Sequence, residues 1–447
     1  MKKIDIYHIA RIEGHGNVEI QLDKGKIKNI ELKTVEPTRF FESIVGGRHF
    51  NDLALIVSRI CGICSPNHTI SGLMAIEDAL DIQISERTRM LRKLLIHGSF
   101  IQNHATHLYF LAAPDYMGLP SVLSLSEAQS GKDSETLRRA LELKKLGNDL
   151  CAAVGGRPVH PVNAVVGGFT DEPDLMTFQV LTARLSAALK EAVQTVDFFA
   201  KVDVPNFNPQ REKLALRAPN GYAVLSGRPK TKVSASGAGW SKPVNQYHNY
   251  IKEQACSEGN PAFFSLLEGG QGEASPFMVG ALARVNINWD ALMPAAAGAA
   301  KAAAKSTGLK KGADNPYLNN LCQAIEIVDA LQRCVVLCEK LAASYSKPVS
   351  KRGGTIDPPK SIEVRAGRGY SASEAPRGTL YYSIGLDDKG HVTSGDVITP
   401  TAQNLACIEA DLRLLAAQLE DLPQDQMILR IEQLIRAYDP CLSCAVH

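Results

Sequence analysis

Two Cys-x-x-Cys pairs lie near opposite ends of this chain. Cys61 and Cys64 stand in Arg-Ile-Cys-Gly-Ile-Cys-Ser-Pro-Asn-His, and Cys441 and Cys444 stand in Asp-Pro-Cys-Leu-Ser-Cys-Ala-Val-His. Thiolates bind soft or borderline metals such as zinc, nickel, copper and iron, so one four-sulfur site would form where the chain ends meet. One pair alone is also typical of a redox dithiol or of half a structural zinc site. Structural zinc sites usually take both pairs from a short segment, and the spacing alone leaves zinc, another metal and a redox pair open.

The other six cysteines carry no metal-ligand spacing. They are Cys151, Cys256, Cys322, Cys334, Cys338 and Cys407. Cys334 and Cys338 are four residues apart, on one face of a predicted helix. Free cysteine packs as a small hydrophobe, and we expect buried packing for these residues.

Composition excludes several classes of protein. The 447 residues are long enough for a large core, and 45% hydrophobic content is ordinary for a globular chain. A net charge of +2 gives no argument for nucleic acid. No apolar run is long enough to span a bilayer. The start, Met-Lys-Lys-Ile-Asp, lacks the apolar region of a signal peptide, which predicts a cytoplasmic protein or one exported on a partner's signal.

The elements that must position the cysteines predict a predominantly helical α+β fold. We expect one domain, 1–447, with a long-helix bundle core, small β regions near the N-terminus and before the C-terminus, and a metal site joining both chain ends. Its parts are an N-terminal β region (1–36), a helical core with the first Cys pair (38–202), a mixed insertion (203–310), and a helix, β region and second Cys pair (311–447). Residues 222–225 resemble a strand, and 361–405 are predicted to return to strands. Predicted helices include 69–79, 87–111, 133–154, 172–202, 317–345 and 425–437.

The two cysteine motifs, with their flanking Arg, Asp-Pro and His residues, resemble the large subunit of nickel–iron hydrogenases. Three more segments share this resemblance: Arg-Ile-Glu-Gly-His from Arg11, Glu-Ala-Pro-Arg-Gly from Glu374, and Pro-Thr-Ala-Gln-Asn from Pro400. The resemblance implies reversible heterolytic cleavage of H2 to protons and electrons. It implies nickel bound by the four cysteines of the two motifs. Cys64 and Cys444 would also bridge to an iron that carries carbon monoxide and two cyanides.

The resemblance also assigns roles to single residues. It makes Glu13 a proton relay and places Arg377 over the open metal face, with Asp115 and Asp439 as a carboxylate pair around it. From its sequence context alone, Asp115 is equally typical of a turn acid after proline. The residues implied around the metals are His68 (bonded to a bridging sulfur), Thr401 (bonded to a cyanide), and Pro376, Leu380 and Pro400 (lining the site). The implied ligands of a remote magnesium or iron ion are Glu42, the carbonyl of Val397, and His447.

The chain has no second set of cysteine ligands for iron–sulfur clusters, so the electrons need an iron–sulfur small subunit and, we expect, further electron-transfer subunits. Tyr381-Tyr382, where periplasmic members usually have His, favours the cytoplasmic multimeric group, which couples hydrogen to NAD(P), ferredoxin, a deazaflavin or a heterodisulfide. An end at His447 is expected for a mature form clipped by a maturation endopeptidase. A hydrogen sensor and a zinc-stabilised interaction subunit stay open as alternatives. A ligand-free interaction subunit does not fit the four cysteines.

Overall fold

The computed structural model describes residues 2–6, 9–23, 26–34, 40–127, 131–219, 221–225, 228–232, 241–254, 263–267, 274–347 and 354–446. Within these ranges helices dominate and the sheets are small, which confirms the predicted fold class. None of the helices in the described ranges is long and apolar enough to cross a bilayer. The division into four regions stays a prediction.

Thirteen α-helices occur in the described residues. They are α1 (Phe40–Val45), α2 (Phe50–Val57), α3 (Ser65–Leu80), α4 (Glu86–Thr106), α5 (Ala113–Met117), α6 (Lys132–Gly155), α7 (Leu175–Phe199), α8 (Ala281–Asn288), α9 (Pro294–Thr307), α10 (Leu318–Ser344), α11 (Pro400–Leu419), α12 (Gln424–Ala437) and α13 (Leu442–Val446). A π-helical stretch at His107–Ala112 joins α4 to α5.

The strands of the described residues form small sheets. They are β1 (Lys2–Ile6), β2 (Gly16–Asp23), β3 (Lys26–Thr34), β4 (Ala164–Val165), β5 (Gly168–Phe169), β6 (Glu212–Arg217), β7 (Arg228–Lys232), β8 (Ile251–Gln254), β9 (Phe263–Leu267), β10 (Ala274–Ser275), β11 (Phe277–Met278), β12 (Gly367–Ala375), β13 (Gly378–Leu386) and β14 (Val392–Ile398). The sheet orders are β1-β2-β3, β10-β9-β8, β11-β6-β7, β12-β13-β14 and β4-β5. The predicted β structure near the N-terminus is confirmed, because β2 and β3 pair antiparallel as a hairpin across Asp23 and Lys26.

The helical core is built around α4 and α10. Helix α4 packs against α6 and α10, and α7 packs along α10. The inward face of α4 is buried and includes Leu91, Leu94, Leu95 and Ile101. Burying an apolar side chain of this size stabilises the fold by about 1.5–3 kcal/mol, so this interface supplies much of the rigidity that the metal site needs.

The sheet β12-β13-β14 lies directly on α3. A Cβ atom at Gly369 of β12 would come 2.0 Å from the carbonyl oxygen of Ala75, so only glycine allows this approach. Helix α3 begins immediately after Cys64, and the turn between β12 and β13 carries Arg377. The close contact therefore fixes the arginine turn relative to the first cysteine pair.

Three predictions of secondary structure were wrong. Residues 222–225 form no strand; there the carbonyl of Val224 accepts a single hydrogen bond from the Glu374 amide. Residues 400–405 begin α11 instead of continuing the strands, because Pro400 suits the first turn of a helix. The helix predicted from residue 69 begins at Ser65, directly after the second cysteine of the motif.

The two ends of the chain meet, as the sequence predicted. The amide of Leu442 donates a hydrogen bond of 2.9 Å to the carbonyl of Glu13, and Glu13 forms an isolated parallel bridge with Cys441. Gly14 has φ +80°, and a Cβ there would lie 2.8 Å from the amide nitrogen of Ser443. This glycine therefore permits the contact that brings the N-terminal loop onto the second cysteine pair.

Candidate metal centre

The four cysteine sulfurs of the two motifs converge in one buried cluster. Their Sγ atoms all lie within 4.8 Å of one another. Cys61 and Cys441 are 3.5 Å apart, Cys64 and Cys444 are 3.6 Å apart, and Cys441 and Cys444 are 2.8 Å apart. Each of the four residues is at most 5% exposed, and none forms a disulfide. The long separation in sequence is thus closed by the fold into one site.

Local structure explains how each pair is presented. Cys61 follows a short 3-10 turn, and Cys64 is the cap residue of α3, where the helix N-terminus favours a thiolate. Cys441 and Cys444 stand immediately before and inside α13. Both pairs therefore point from the start of a short turn into the same cavity.

The electrostatics of the cluster fit a bound cation. Hydrogen bonding from neighbouring thiols, first Cys441, lowers the pKa of Cys61 well below its ordinary value, and the charge of Arg377 adds to this. The pKa values of Cys64 and Cys444 are raised well above their ordinary value, that of Cys64 first by hydrogen bonding with Cys441 and that of Cys444 first by burial, so without a metal the cluster does not hold four thiolates. Several thiolates buried together repel one another unless a metal neutralises them. All-sulfur donation suits nickel and iron, and it suits zinc equally. The four residues therefore fit a nickel–iron centre, and the donor set alone does not distinguish it from zinc.

Arg377 stands beside the cluster and is fixed by three polar contacts. Its Nη2 lies 3.0 Å from Oδ1 of Asp439, its Nε donates to the Asp439 carbonyl at 2.9 Å, and its Nη1 donates to Asn103 at 3.3 Å. Burial alone would lower the pKa of Arg377, but the charge of Asp439 and then those of the cysteine sulfurs raise it. The guanidinium therefore stays positive beside the sulfurs.

Asp439 adopts an unusual backbone conformation for a residue other than glycine. Its φ is +51°, a left-handed conformation that Asp tolerates better than most residues. Gln323 donates a hydrogen bond of 2.9 Å to its Oδ2, and the carboxylate pairs with Arg377. These contacts hold the strained turn that leads into Pro440 and Cys441.

Glu13 reaches the cluster from the N-terminal loop. The Ser443 hydroxyl donates to its Oε1 at 2.5 Å, and the Ser443 amide donates to its Oε2 at 3.3 Å. Burial raises the pKa of Glu13 to about 8, the charge of Cys441 adds to the rise, and Ser443 and Arg377 oppose it. A cation at Cys441 would neutralise part of that charge and bring the pKa closer to neutrality. The carboxyl group can therefore exchange a proton near neutral pH.

Two of the residues predicted to surround the metals, His68 and Thr401, contact the cysteines. Nε2 of His68 is 3.8 Å from Sγ of Cys444, and its Nδ1 shares a hydrogen bond of 2.7 Å with the Tyr382 hydroxyl. Oγ1 of Thr401 accepts a hydrogen bond of 3.0 Å from the amide of Cys441. Leu380 is fully buried on β13. Pro376 and Pro400, also predicted here, lie in the turn before β13 and at the start of α11.

The predicted pairing of Asp115 with Asp439 around Arg377 was wrong. Asp115 instead forms ion pairs with Arg11 and with Arg436, the latter at 2.6 Å between Nη1 and Oδ2. Its carboxylate is 1% exposed, so two guanidinium groups compensate the cost of burying it. This acid joins the N-terminal loop to α12, and among the acids of the described residues Asp439 is the one paired with Arg377.

The predicted remote ion site is described only in part. Oε1 of Glu42, on α1, accepts a hydrogen bond of 2.9 Å from the amide of Val397, on β14. The structure thus brings these two residues together, through the amide of Val397 and not the carbonyl that was predicted to bind the ion. His447 lies outside the described residues.

Sequence reasoning missed the buried charges that hold the arginine turn. Arg284 of α8 donates to the carbonyls of Ala375 and Pro376 at 2.8 and 2.6 Å, and it pairs with Glu326 and Glu374. The carboxylate of Glu326 also contacts His104 at 2.9 Å. Charged residues inside the apolar helices α8 and α10 were the available signal, because such residues need buried partners.

This fold and site define a large, mostly helical protein that closes a four-sulfur metal centre with both of its chain ends. The sequence matches the family described as nickel-dependent hydrogenase over residues 39–139 and 247–447, and the family described as HoxL-like over residues 3–36. The chain therefore belongs to the nickel-dependent hydrogenase family, and it is an oxidoreductase of the large-subunit kind. This confirms the resemblance drawn from the motifs. Family membership also favours nickel over zinc at the four sulfurs.

Individual proteins match over essentially the whole chain. Sulfhydrogenase 1 subunit alpha of Pyrococcus furiosus is 36% identical over 446 residues, which cover 99% of this chain and 97% of that protein. Sulfhydrogenase 2 subunit alpha of the same organism is 30% identical over 451 residues, covering 99% and 98%. The crystal structure of an NAD+-reducing [NiFe]-hydrogenase in the H2-reduced state superposes with a TM-score of 0.82 at 24% identity, with 100% of both chains covered. That structural likeness shows a common fold.

Proposed function

We propose that this chain is the catalytic subunit that converts H2 reversibly into two protons and two electrons. The convergence of four buried sulfurs from both chain ends, within 4.8 Å of one another, carries this proposal. Cys61, Cys64, Cys441 and Cys444 would hold nickel, with Cys64 and Cys444 shared with iron. When bound, the metals would supply the redox and Lewis-acid chemistry that polarises H2 and stores its electrons.

The carbonyl and cyanide ligands of the iron are the finer part of this proposal. Leu380, Pro376 and Pro400 would supply an apolar wall for small diatomic ligands. Oγ1 of Thr401 already accepts from the Cys441 amide, so its O–H remains available to donate to a cyanide nitrogen. His68 would donate from Nε2 toward the Cys444 sulfur and hold that ligand in place.

Proton movement is assigned to Glu13. Its carboxyl group contacts Ser443 next to the cysteine pair, and burial raises its pKa to about 8. A group with a pKa near the working pH gives and takes protons most efficiently. Arg377 keeps its charge and fixes the Asp439 turn, so it orients polar groups at the site without itself exchanging a proton.

Exchanging Glu13 for glutamine should keep the metals in place but slow proton transfer. The amide preserves shape and can still contact Ser443, yet it carries no exchangeable acid proton. General acid–base catalysis accelerates a reaction by about 10²–10⁴-fold. We therefore expect the rate of hydrogen–deuterium exchange to decrease by a factor in that range. Glu19→Gln on β2, where Glu19 pairs with Lys33, is the matched control and should exchange normally. Unchanged exchange in the Glu13→Gln enzyme, with full nickel content, would refute the relay.

A magnesium or iron ion near the C-terminus, remote from the nickel–iron centre, is also part of the proposal. Glu42 already contacts Val397, and a carboxylate with a backbone carbonyl is a donor set that magnesium accepts. His447 would complete the site. Elemental analysis should show magnesium, or iron beyond that of the nickel–iron pair; enzyme with neither would exclude this ion.

The electrons require partners. The relatives named above are called alpha subunits, and the matched structure comes from an NAD+-reducing enzyme. We propose an iron–sulfur small subunit, further electron-transfer subunits in the cytoplasm, and a soluble acceptor such as NAD(P), ferredoxin, a deazaflavin or a heterodisulfide, with a maturation endopeptidase acting on the precursor. Co-purification tests the complex, and an active preparation free of iron–sulfur clusters would contradict it.

The test of the activity is an infrared spectrum of the purified enzyme. Sharp stretching bands of cyanide and carbon monoxide, together with nickel by elemental analysis and hydrogen-dependent reduction of a dye, are the expected result. A preparation that contains zinc and shows no such bands after metal maturation would overturn the proposal. Bands without sustained turnover would instead identify a hydrogen sensor.

A further inference from the structure

A cavity of about 460 Å³ lies away from the metal centre, between α4, α10 and the irregular segment that follows β6. This volume is typical of sites for small ligands. Its apolar wall includes Leu225, Met293, Val336 and Leu337. The ring of Tyr222 adds an aromatic surface, over which the guanidinium carbon of Arg333 lies 5.5 Å from the ring centre.

The charged side chains among the described lining residues of this cavity are all cationic. Lys93 of α4 and Arg333 and Lys340 of α10 line it, and no carboxylate is among its described lining residues. Asp329 pairs with Nε and Nη2 of Arg333, so one of the three charges is compensated. Nη1 of Arg333 and the two lysines have no ion-pair partner in the part of the chain that the structure describes. The cavity therefore carries an excess of positive charge with donors to spare.

His97 is the least exposed of the titratable residues that line the cavity. It lines the cavity and is only 4% exposed, and its Nδ1 is buried without a hydrogen-bond partner among the described residues. Burial lowers the pKa of His97 to about 3, and the charges of Arg333 and Lys93 add to this. A buried polar atom without a partner is costly, so this wall of the cavity is not optimised for stability alone.

We propose that this cavity binds a small organic anion, with a carboxylate or phosphate group facing Lys93, Lys340 and Arg333 and an apolar body against Leu337 and Met293. An inorganic anion alone would leave the apolar wall in contact with water. A neutral apolar ligand would leave the cationic groups and His97 without partners. Nucleic acid would need a longer basic surface than one cavity lined by three cationic side chains offers. The site is independent of the metal centre, so metal-free enzyme should bind the same ligands.

Calorimetric titration of the purified enzyme, with its accompanying subunits, tests the chemistry. Phenyl phosphate and benzoate carry a phosphate and a carboxylate group, respectively. The compound that binds more tightly identifies the acidic group that the cavity prefers. Benzyl alcohol has the same ring without charge, and inorganic phosphate has the charge without the ring. We expect at least one aromatic anion to bind about tenfold more tightly than either control, because a charge-assisted hydrogen bond contributes about that factor. Equal binding of benzyl alcohol, or no binding of either anion, would overturn the proposal.

Substitution of the two lysines tests the location. Lys93→Gln and Lys340→Gln should each weaken the binding of the tighter anion about tenfold, since each removes one charged donor. Lys301→Gln on the exposed side of α9 is the matched control and should bind normally. Undiminished binding in both cavity variants would exclude this cavity. If a variant fails to fold, chemical acetylation of the lysines in the wild-type enzyme tests the location instead. The bound anion must slow the acetylation of Lys93 and leave the acetylation of Lys301 unchanged.

Discussion

Replacing Cys444 with alanine should yield a folded protein that lacks nickel and the iron of the nickel–iron pair and has no hydrogenase activity. Cys444 lies 2.8 Å from Cys441 and 3.6 Å from Cys64, so it contacts a sulfur of each pair. Alanine leaves three sulfurs and removes one of the two proposed bridges between the metals. Metal affinity depends on the full set of deprotonated ligands, so the centre should not assemble. Elemental analysis and hydrogen–deuterium exchange measure both effects.

The matched control is Cys338→Ala. Cys338 is also buried, but it lies on α10 outside the metal cluster. Removing one buried sulfur there should cost about 1–2 kcal/mol of stability and leave the metal content unchanged. Because the backbone contact between Glu13 and Leu442 does not involve the Cys444 side chain, circular dichroism should show normal helix content in the Cys444 variant. Full nickel and iron in that variant would contradict the ligand assignment.

Short-range patterns in the sequence predicted much of this fold. The alternation around Asp23 and Lys26 predicts a hairpin because turn residues and period-two burial act within a few positions. The buried face of α4 follows from a period of about 3.6 residues. The metal cluster was predictable for a different reason: four cysteines have few other uses in this arrangement, so their chemistry indicated a contact across almost the entire chain.

Long-range ion pairs were not predictable in the same way. Asp115 was expected beside Arg377 but pairs with Arg11 and Arg436, because the last turn of α12 brings a second guanidinium to it. From the sequence alone, any arginine is an equally suitable partner for the Asp115 carboxylate. The packing of α12 against the N-terminal loop determines which arginines reach it. The strand predicted at 222–225 failed similarly: its apolar side chains are buried, but the described backbone shares with the neighbouring β12 one hydrogen bond, from the Glu374 amide to the Val224 carbonyl, and no paired ladder.

Exchanging Arg284 for methionine should produce the largest loss of stability outside the metal site. Arg284 is fully buried and pairs with both Glu326 and Glu374. Methionine fills a similar volume but leaves two buried carboxylates without their cation. Removing one partner of a buried ion pair costs about 3–5 kcal/mol. The midpoint of urea unfolding should fall accordingly, whereas Arg138→Met, at a half-exposed ion pair with Glu142, should cost about 1 kcal/mol or less.

The same substitution should also loosen the turn that carries Arg377. Arg284 holds the carbonyls of Ala375 and Pro376, so its loss frees the two residues before Arg377. Amide hydrogen exchange of this turn should accelerate, and the hydrogenase activity of the remaining folded enzyme should fall while nickel content is retained. Adding Glu326→Gln to Arg284→Met should recover part of the stability, because one unpaired charge is removed, but not the activity, because the carbonyls still lack their donor. Recovery of both would mean that Arg284 acts only through Glu326 and does not position Arg377.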